Sequence, residues 1–199
     1  MRKVKHFKRL VVQVFLVTAC IFFILSCNNG AKAGNENDIN AENNGAKLNS
    51  GADVNDAGFL LNAAEINLMQ IDLGHLAQQN GMITDVKELG KQMENFYNNS
   101  FKYLIALTAN KFVTFPITTR NAINVYNSLS KQTGSDFDKA YCDIMIKNHE
   151  YAIAEFEEAA VESGDAAVRE WAKSMLADLR IQLGNAIACQ MKCREMKYQ

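Results

Sequence analysis

The amino-acid sequence predicts an all-α protein in which four long helices form a bundle and a short extra helix lies between the second and the third. Two observations support this prediction. From Asp56 onward the apolar residues recur with a helical period, and no stretch alternates with period two for long enough to form a sheet. The 199 residues also contain a single Pro and 11 Gly, which argues against a turn-rich all-β chain.

The first two long helices are each marked by an apolar stripe that repeats every three or four residues. In helix 1 the stripe extends to about residue 80 and comprises Phe59, Ala63, Ile66, Leu73 and Leu76. Gly81 is predicted to end this helix and Thr84 to cap helix 2, whose first turn contains Asp85 and Glu88. Helix 2 should end before Pro116, because a residue preceding proline disfavours the α conformation.

A short helix is predicted over residues 119–131, and two more long helices follow it. Ser135 is predicted to cap helix 3, with Asp138 as the acid of a capping box, and Asp165 to cap helix 4 after a break near Gly164. The links between helices 1 and 2 and between helices 3 and 4 are short, whereas helices 2 and 3 are far apart in sequence. One long crossover is the ferritin-like variant of the four-helix bundle, which is therefore the predicted fold of residues 55–199.

Residues 1–26 are predicted to be a secretory signal peptide. Five basic residues and no acid precede an apolar run over residues 10–25, which is shorter than the roughly 20 residues that span a bilayer. The alternative is an uncleaved membrane anchor. Ile24-Leu25-Ser26-Cys27 resembles the lipobox of bacterial lipoproteins, and this resemblance implies cleavage before Cys27 and lipid attached to it.

Residues 27–54 are predicted to form a disordered, Asn-rich tether between the lipid on Cys27 and the helical domain. Without residues 1–26 the chain loses five of its 21 Lys and Arg and none of its 22 acids, which leaves a net charge of −6. That charge argues against a nucleic-acid partner. The expected location is the envelope of a Gram-negative bacterium, lipid-anchored in the outer membrane and facing the periplasm. The membrane, through the lipid on Cys27, is then one partner, and the sequence does not identify a protein partner.

Four short segments resemble a known protein family. They are residues 63–64 with 73–77, residues 91–93, residues 134–141 with the motif Gly-x-x-Phe-Asp-x-x-Tyr, and residues 145–149. The family is a ferritin-like bacterial envelope domain of unknown function, often described as an outer membrane protein. The resemblance covers roughly residues 54–190 and implies ligand-type residues on the core face of each long helix: a Glu on helix 1, an Asp-His pair on helix 2, and one His each on helices 3 and 4.

This chain departs from that ligand set at every position except one. The corresponding positions hold Gln70, Phe96-Tyr97, His149 and Gln182. The helical period also places Gln70, His149 and Gln182 on inward faces, so that a core polar cluster of Gln70, Tyr97, His149 and Gln182 is predicted, with no metal or cofactor.

Iron or zinc is the alternative, with His149 joined by the i, i+3 pair of Asp72 and His75. That pair flanks the apolar stripe of helix 1, and a solvated surface pair is the interpretation that the pattern favours.

Three cysteines, Cys142, Cys189 and Cys193, lie within the predicted helices. In an oxidising compartment Cys142 could pair with either of the other two. A zinc site is disfavoured because it would need a fourth ligand and tighter spacing. No catalytic residue is predicted, and the favoured function is a non-catalytic envelope lipoprotein with a degenerate metal site. The alternatives are a ferritin-like oxidoreductase or metal store, and a protein that binds a small ligand near His149, Tyr97 and Gln70.

Overall fold

The part of the chain that the structure describes, a computed structural model, comprises residues 51–111, 113–115 and 117–195. It contains five α-helices and no β-strand. The helices are α1 (Gly51–Asn80), α2 (Thr84–Thr108), α3 (Arg120–Leu129), α4 (Gly134–Glu162) and α5 (Ala166–Glu195). The prediction of an all-helical domain is confirmed. The predicted signal peptide, Cys27 and residues 28–50 of the tether lie outside the described residues, while the last four residues of the predicted tether belong to α1.

The long helices associate first as two antiparallel pairs, α1 with α2 and α4 with α5. The α1–α2 pair is unusually close, because Gly74 and Gly90 face each other. A Cβ atom on Gly74 would lie 2.6 Å from the Gly90 carbonyl oxygen, and a Cβ on Gly90 would lie 2.6 Å from the Gly74 carbonyl oxygen. A side chain at either position would therefore force the two backbones apart.

Hydrogen bonds between the pairs fix the direction of each helix. Backbone amides at the end of α4 donate to Asp56 at the start of α1, and amides at the end of α1 donate to Asp138 at the start of α4. Helix α1 is therefore antiparallel to α4. Lys192 near the end of α5 forms an ion pair with Asp85 at the start of α2, so that these two helices are antiparallel as well. Helices α2 and α4 then run in the same direction, and the connection that contains α3 must pass along the length of the domain.

The predicted helix caps are correct in one case and wrong in two. Asp165 Oδ1 accepts hydrogen bonds from the amides of residues 167 and 168 at 2.8 and 3.1 Å, as an N-cap does. The N-caps of α2 and α4 are instead Ile83 and Thr133, one and two residues before the predicted Thr84 and Ser135, and neither makes a side-chain cap.

Asp138 was predicted to cap its own helix, α4, but it caps the link between α1 and α2 instead. Its carboxylate accepts hydrogen bonds from the amides of Met82 at 2.8 Å and Ile83 at 3.1 Å, in the α1–α2 link. Asp56 does the same for the α4–α5 link, with Gly164 and Asp165 as donors at 3.2 and 2.9 Å. Each pair of helices thus caps the turn of the other.

The two caps are related by an offset of 82 residues, which separates Asp56 from Asp138 and Met82 from Gly164. The same offset relates Asn67 to His149. Both are buried, and both have a side-chain nitrogen within hydrogen-bond distance of the carbonyl oxygen four residues earlier. The two helix pairs therefore place equivalent caps, and a buried polar side chain each, at corresponding positions.

No helix among the described residues is long and apolar enough to cross a membrane.

Candidate functional site

Tyr97 of α2 and His149 of α4 form a hydrogen-bonded pair in the core. The Tyr97 hydroxyl lies 3.0 Å from His149 Nε2, and His149 Nδ1 lies 2.7 Å from the carbonyl oxygen of Met145. Because a carbonyl oxygen only accepts, Nδ1 carries the proton and donates it, and Nε2 accepts the proton of the Tyr97 hydroxyl. The two side chains are 1% and 0% exposed, so that water does not compete for either bond.

Burial keeps both partners neutral. It lowers the pKa of His149, although the hydrogen bond to the Met145 carbonyl partly opposes this shift. It raises the pKa of Tyr97, and the neighbouring Gln70 amide partly offsets that rise. Removing a charged group from water without a compensating charge is unfavourable, so the pair functions as a neutral donor and acceptor.

Gln70 of α1 completes the buried group; its amide is close enough to the Tyr97 hydroxyl to oppose the rise in the pKa of that group, but it makes no hydrogen bond of ordinary length and angle within the described part of the chain. Its side chain is 0% exposed, and neither its Nε2 nor its Oε1 is bonded. Asn67, one turn earlier on α1, leaves its Oδ1 unpartnered, and so does the Ser100 hydroxyl, one turn after Tyr97 on α2. A buried polar atom without a partner costs about 1–3 kcal/mol. Several buried polar atoms on α1 and α2 would therefore be stabilised by a hydrogen bond to a polar partner.

Gln182, the fourth predicted member of the cluster, is placed differently. It is only half-buried, and its Oε1 accepts a hydrogen bond from Asn185 at 3.3 Å. The fully buried positions on this part of α5 belong to Leu179 and Ala186. Helical spacing determines the side of a helix on which a residue lies, but a long amide at the edge of the buried stripe can still extend toward solvent.

The alternative metal ligands are not brought together. Asp72 and His75 are exposed on α1, and His75 Nε2 lies 2.9 Å from the Gln79 amide nitrogen, whereas His149 is fully buried. Partial burial raises the pKa of Asp72, and the nearby His75 opposes this effect. Phe96, which stands where the resemblance implies an Asp, packs edge-on against the Tyr97 ring with centroids 4.8 Å apart.

The three cysteines do come together. Cys142 of α4 and Cys189 and Cys193 of α5 are free thiols at 0%, 5% and 5% exposure. The Cys142 and Cys193 sulfurs are 3.8 Å apart, and all three sulfurs lie within 4.8 Å of one another. Among the described residues this is the one group of three or more His, Cys, Asp or Glu side chains that is compact enough to hold a metal ion.

The pKa values of the three thiols are shifted in different directions. The close approach of Cys142 and Cys189 raises the pKa of Cys142 and lowers that of Cys189. Burial raises the pKa of Cys193 to about 11.

In a comparison with protein families, residues 41–188 match a family described as "Domain of unknown function (DUF4142)". The chain belongs to the DUF4142 family. No curated protein and no solved structure matches the chain. The match includes Gln70, Tyr97 and His149, and it begins within the predicted tether. It ends one residue before Cys189, so that two of the three clustered cysteines lie outside the DUF4142 segment.

Sequence reasoning did not single out Tyr141 or Asn67 as site residues. Tyr141 is fully buried, and its hydroxyl has no partner among the described residues. Burial, followed by the neighbouring Cys142, Cys189 and Tyr97, raises the pKa of this hydroxyl. A usable signal existed, because Tyr141 lies four and eight residues before Met145 and His149 on the inward face of this DUF4142 helix. The cysteine cluster, in contrast, depends on the register between α4 and α5, which the sequence does not show.

Proposed function

We propose that this protein is a lipid-anchored envelope protein whose DUF4142 domain is a four-helix bundle of ferritin type that has lost the metal chemistry at its centre. The helix directions support the ferritin type, because α2 and α4 are parallel and are joined by a long crossover. The domain then functions as a non-catalytic scaffold.

The observation that carries this proposal is the environment of His149. Both of its ring nitrogens are engaged, one with the Met145 carbonyl and the other with the Tyr97 hydroxyl. A ferritin-like di-metal centre requires several carboxylates and two Glu-x-x-His motifs that project inward. The buried residues near His149 are instead Gln70, a neutral amide, and Tyr97, a neutral phenol. Both are poor replacements for the carboxylates that such a centre uses to bind iron. The residues present do not fit that metal centre.

Metal analysis of the native protein and of His149→Leu tests this proposal. We expect iron and zinc well below one ion per chain in both proteins. Stoichiometric iron or zinc in the native protein that is lost in His149→Leu would refute it. A variant that restores the implied ligands should gain affinity for iron or zinc; its substitutions are Gln70→Glu, Phe96→Asp, Tyr97→His and Gln182→His.

The proposed anchor rests on residues 1–27, and its test is independent of the bundle. Labelled palmitate should be incorporated into the native protein and not into Cys27→Ser, which should be released from membranes or retain its signal peptide. Cys20→Ser is the matched control, because Cys20 lies within the segment that would be removed, and its labelling should be unchanged. Labelling that persists in Cys27→Ser would exclude the anchor.

A second candidate function, binding of a small polar ligand, is favoured by the unpartnered Gln70 amide. A ligand that hydrogen-bonds to this amide would remove its desolvation penalty. Native mass spectrometry of protein isolated from envelopes should then show an added mass that disappears in Gln70→Leu. An unmodified mass in both proteins would exclude this candidate.

A further inference from the structure

We propose that Cys142, Cys189 and Cys193 form a binding site for a single Cu(I) ion, coordinated by the three sulfur atoms. The site lies where α5 passes the start of α4, and it is separate from the pair of Tyr97 and His149.

The positions of the sulfur atoms match three-coordinate binding. Cys189 and Cys193 are one helical turn apart on α5, so that both thiols lie on the side that faces Cys142. An ion at about 2.3 Å from each of three sulfurs, a typical metal–thiolate distance, requires sulfur–sulfur separations of roughly 4 Å. The observed separations are 3.8 Å for Cys142 and Cys193 and no more than 4.8 Å for any pair. Small rotations of the side chains would therefore complete the site.

Tyr141 is a second, independent indication of a ligand at this place. Its side chain is 0% exposed, and its hydroxyl is among the buried polar atoms that have no hydrogen-bond partner in the described residues. Tyr141 directly precedes Cys142 on α4, and burial, followed by the neighbouring Cys142, Cys189 and Tyr97, raises the pKa of its hydroxyl. A phenol is a good donor to a thiolate, and a metal site would supply that thiolate. A thiolate at this place would give the unpartnered hydroxyl an acceptor.

The set of ligands selects the ion. Thiolates are soft ligands that favour Cu(I) and zinc over Mg²⁺, Ca²⁺ and Mn²⁺. Zinc in structural sites is almost always bound by four ligands in a tetrahedron, whereas this group offers three sulfurs at 0–5% exposure. Of these two ions, soft Cu(I) is the one that three sulfurs can satisfy without a fourth ligand.

Binding exchanges protons for the ion and involves no change of oxidation state. Three S–H bonds are broken, three S–Cu bonds form, and up to three protons are released to solvent. The product of Cu(I) and three thiolates carries two negative charges. Lys192 is the nearby cation, since it interacts electrostatically with Cys189 and forms an ion pair with Asp85. Asp85 and Asp138 add negative charge close to Cys189.

The experiment is an anaerobic titration of the reduced full chain with Cu(I), in competition with a chromophoric Cu(I) chelator. The chain carries Cys20→Ser and Cys27→Ser, so that three of its five cysteines remain. We expect one Cu(I) per chain and protection of all three thiols from alkylation by iodoacetamide. Zn(II), titrated in parallel, should protect the thiols less well.

Variants then identify the ligands. Alanine at Cys142, Cys189 or Cys193 should weaken Cu(I) binding by more than about 100-fold, since even groups outside the first coordination shell contribute 10–100-fold. Tyr141→Phe should weaken it by about 10-fold. Met175→Leu is the matched control; it removes another buried sulfur from α5, about 21 Å along the helix from Cys189, and should not alter binding.

Three results would overturn the proposal. The first is the absence of Cu(I) binding or of thiol protection in the reduced chain, a test that needs no cysteine-to-alanine variant. The second is equal or tighter binding of Zn(II). The third is protein isolated with Cys142 already disulfide-bonded to Cys189 or Cys193, which would assign the cluster to disulfide formation. His149→Leu should leave Cu(I) binding unchanged, so that failure here and failure of the proposed function are distinguishable.

Discussion

Tyr97→Phe tests whether the buried pair of Tyr97 and His149 is held together by its hydrogen bond. The substitution removes the hydroxyl that donates to His149 Nε2 at 3.0 Å and leaves the ring in place, so no large cavity forms. The nitrogen then remains buried without a donor, at a cost of about 1–3 kcal/mol, while the desolvation of the phenol is no longer required. We expect the free energy of unfolding to fall by about 1–2 kcal/mol, a loss of roughly 3–6 °C in Tm.

Tyr141→Phe is the matched control for this prediction. Tyr141 is also fully buried, but its hydroxyl lacks a partner within the described residues. The same substitution should therefore leave the stability of the metal-free protein unchanged or raise it slightly. Equal losses in the two variants would show that the effect is unrelated to the hydrogen bond.

A double-mutant cycle with His149→Leu isolates the bond itself. His149→Leu also removes the contact between His149 Nδ1 and the Met145 carbonyl. This loss is the same in the single variant and in the double variant with Tyr97→Phe, so it does not contribute to the coupling energy. Urea unfolding of the four proteins should give a coupling energy of about 1 kcal/mol or more. Additivity within about 0.3 kcal/mol would refute the assignment of a stabilising Tyr97–His149 hydrogen bond.

Three further predictions concern the surrounding fold. Asp138→Ala should lower the free energy of unfolding, measured by urea unfolding, by about 3 kcal/mol, because two backbone amides lose a charged acceptor. Asp136→Ala, the control at an exposed position, should change the free energy of unfolding by less than about 0.5 kcal/mol. Gly74→Ala should lower the free energy of unfolding by about 1–3 kcal/mol or prevent folding, since its Cβ would lie 2.6 Å from the Gly90 carbonyl oxygen of α2. Gly184→Ala, whose Cβ would have nothing within 4 Å, should raise the free energy of unfolding by up to about 1 kcal/mol in the same assay. Burial lowers the pKa of His149 in the folded state, so that around and below its ordinary pKa of 6.5 the unfolded state binds more protons than the folded state. Thermal stability should therefore fall as the pH is lowered from about 7 to 5.5, and His149→Leu should flatten this dependence on pH. Equal slopes in the two proteins would contradict the assignment.

The sequence alone determined the class of fold and the approximate positions of the helices. A stripe of apolar residues at helical spacing reports which face of a helix is buried, and this is a local property that needs no knowledge of the partner. It placed Gln70, Tyr97 and His149 toward the interior, and all three are buried. Asp165 was recognised as a cap because its bonds reach only two and three residues along the chain.

Tertiary structure decided whatever depends on the register between helices. The carboxylate of Asp138 caps a link more than 50 residues away, and the three sulfurs of Cys142, Cys189 and Cys193 meet because α4 and α5 are aligned at that height. Gln182 satisfied the spacing rule yet bonds Asn185 at the edge of the core. Periodicity fixes the angle of a residue about its own helix axis. The neighbour at that angle is set by how far one helix slides along another, and only the packed core determines that distance.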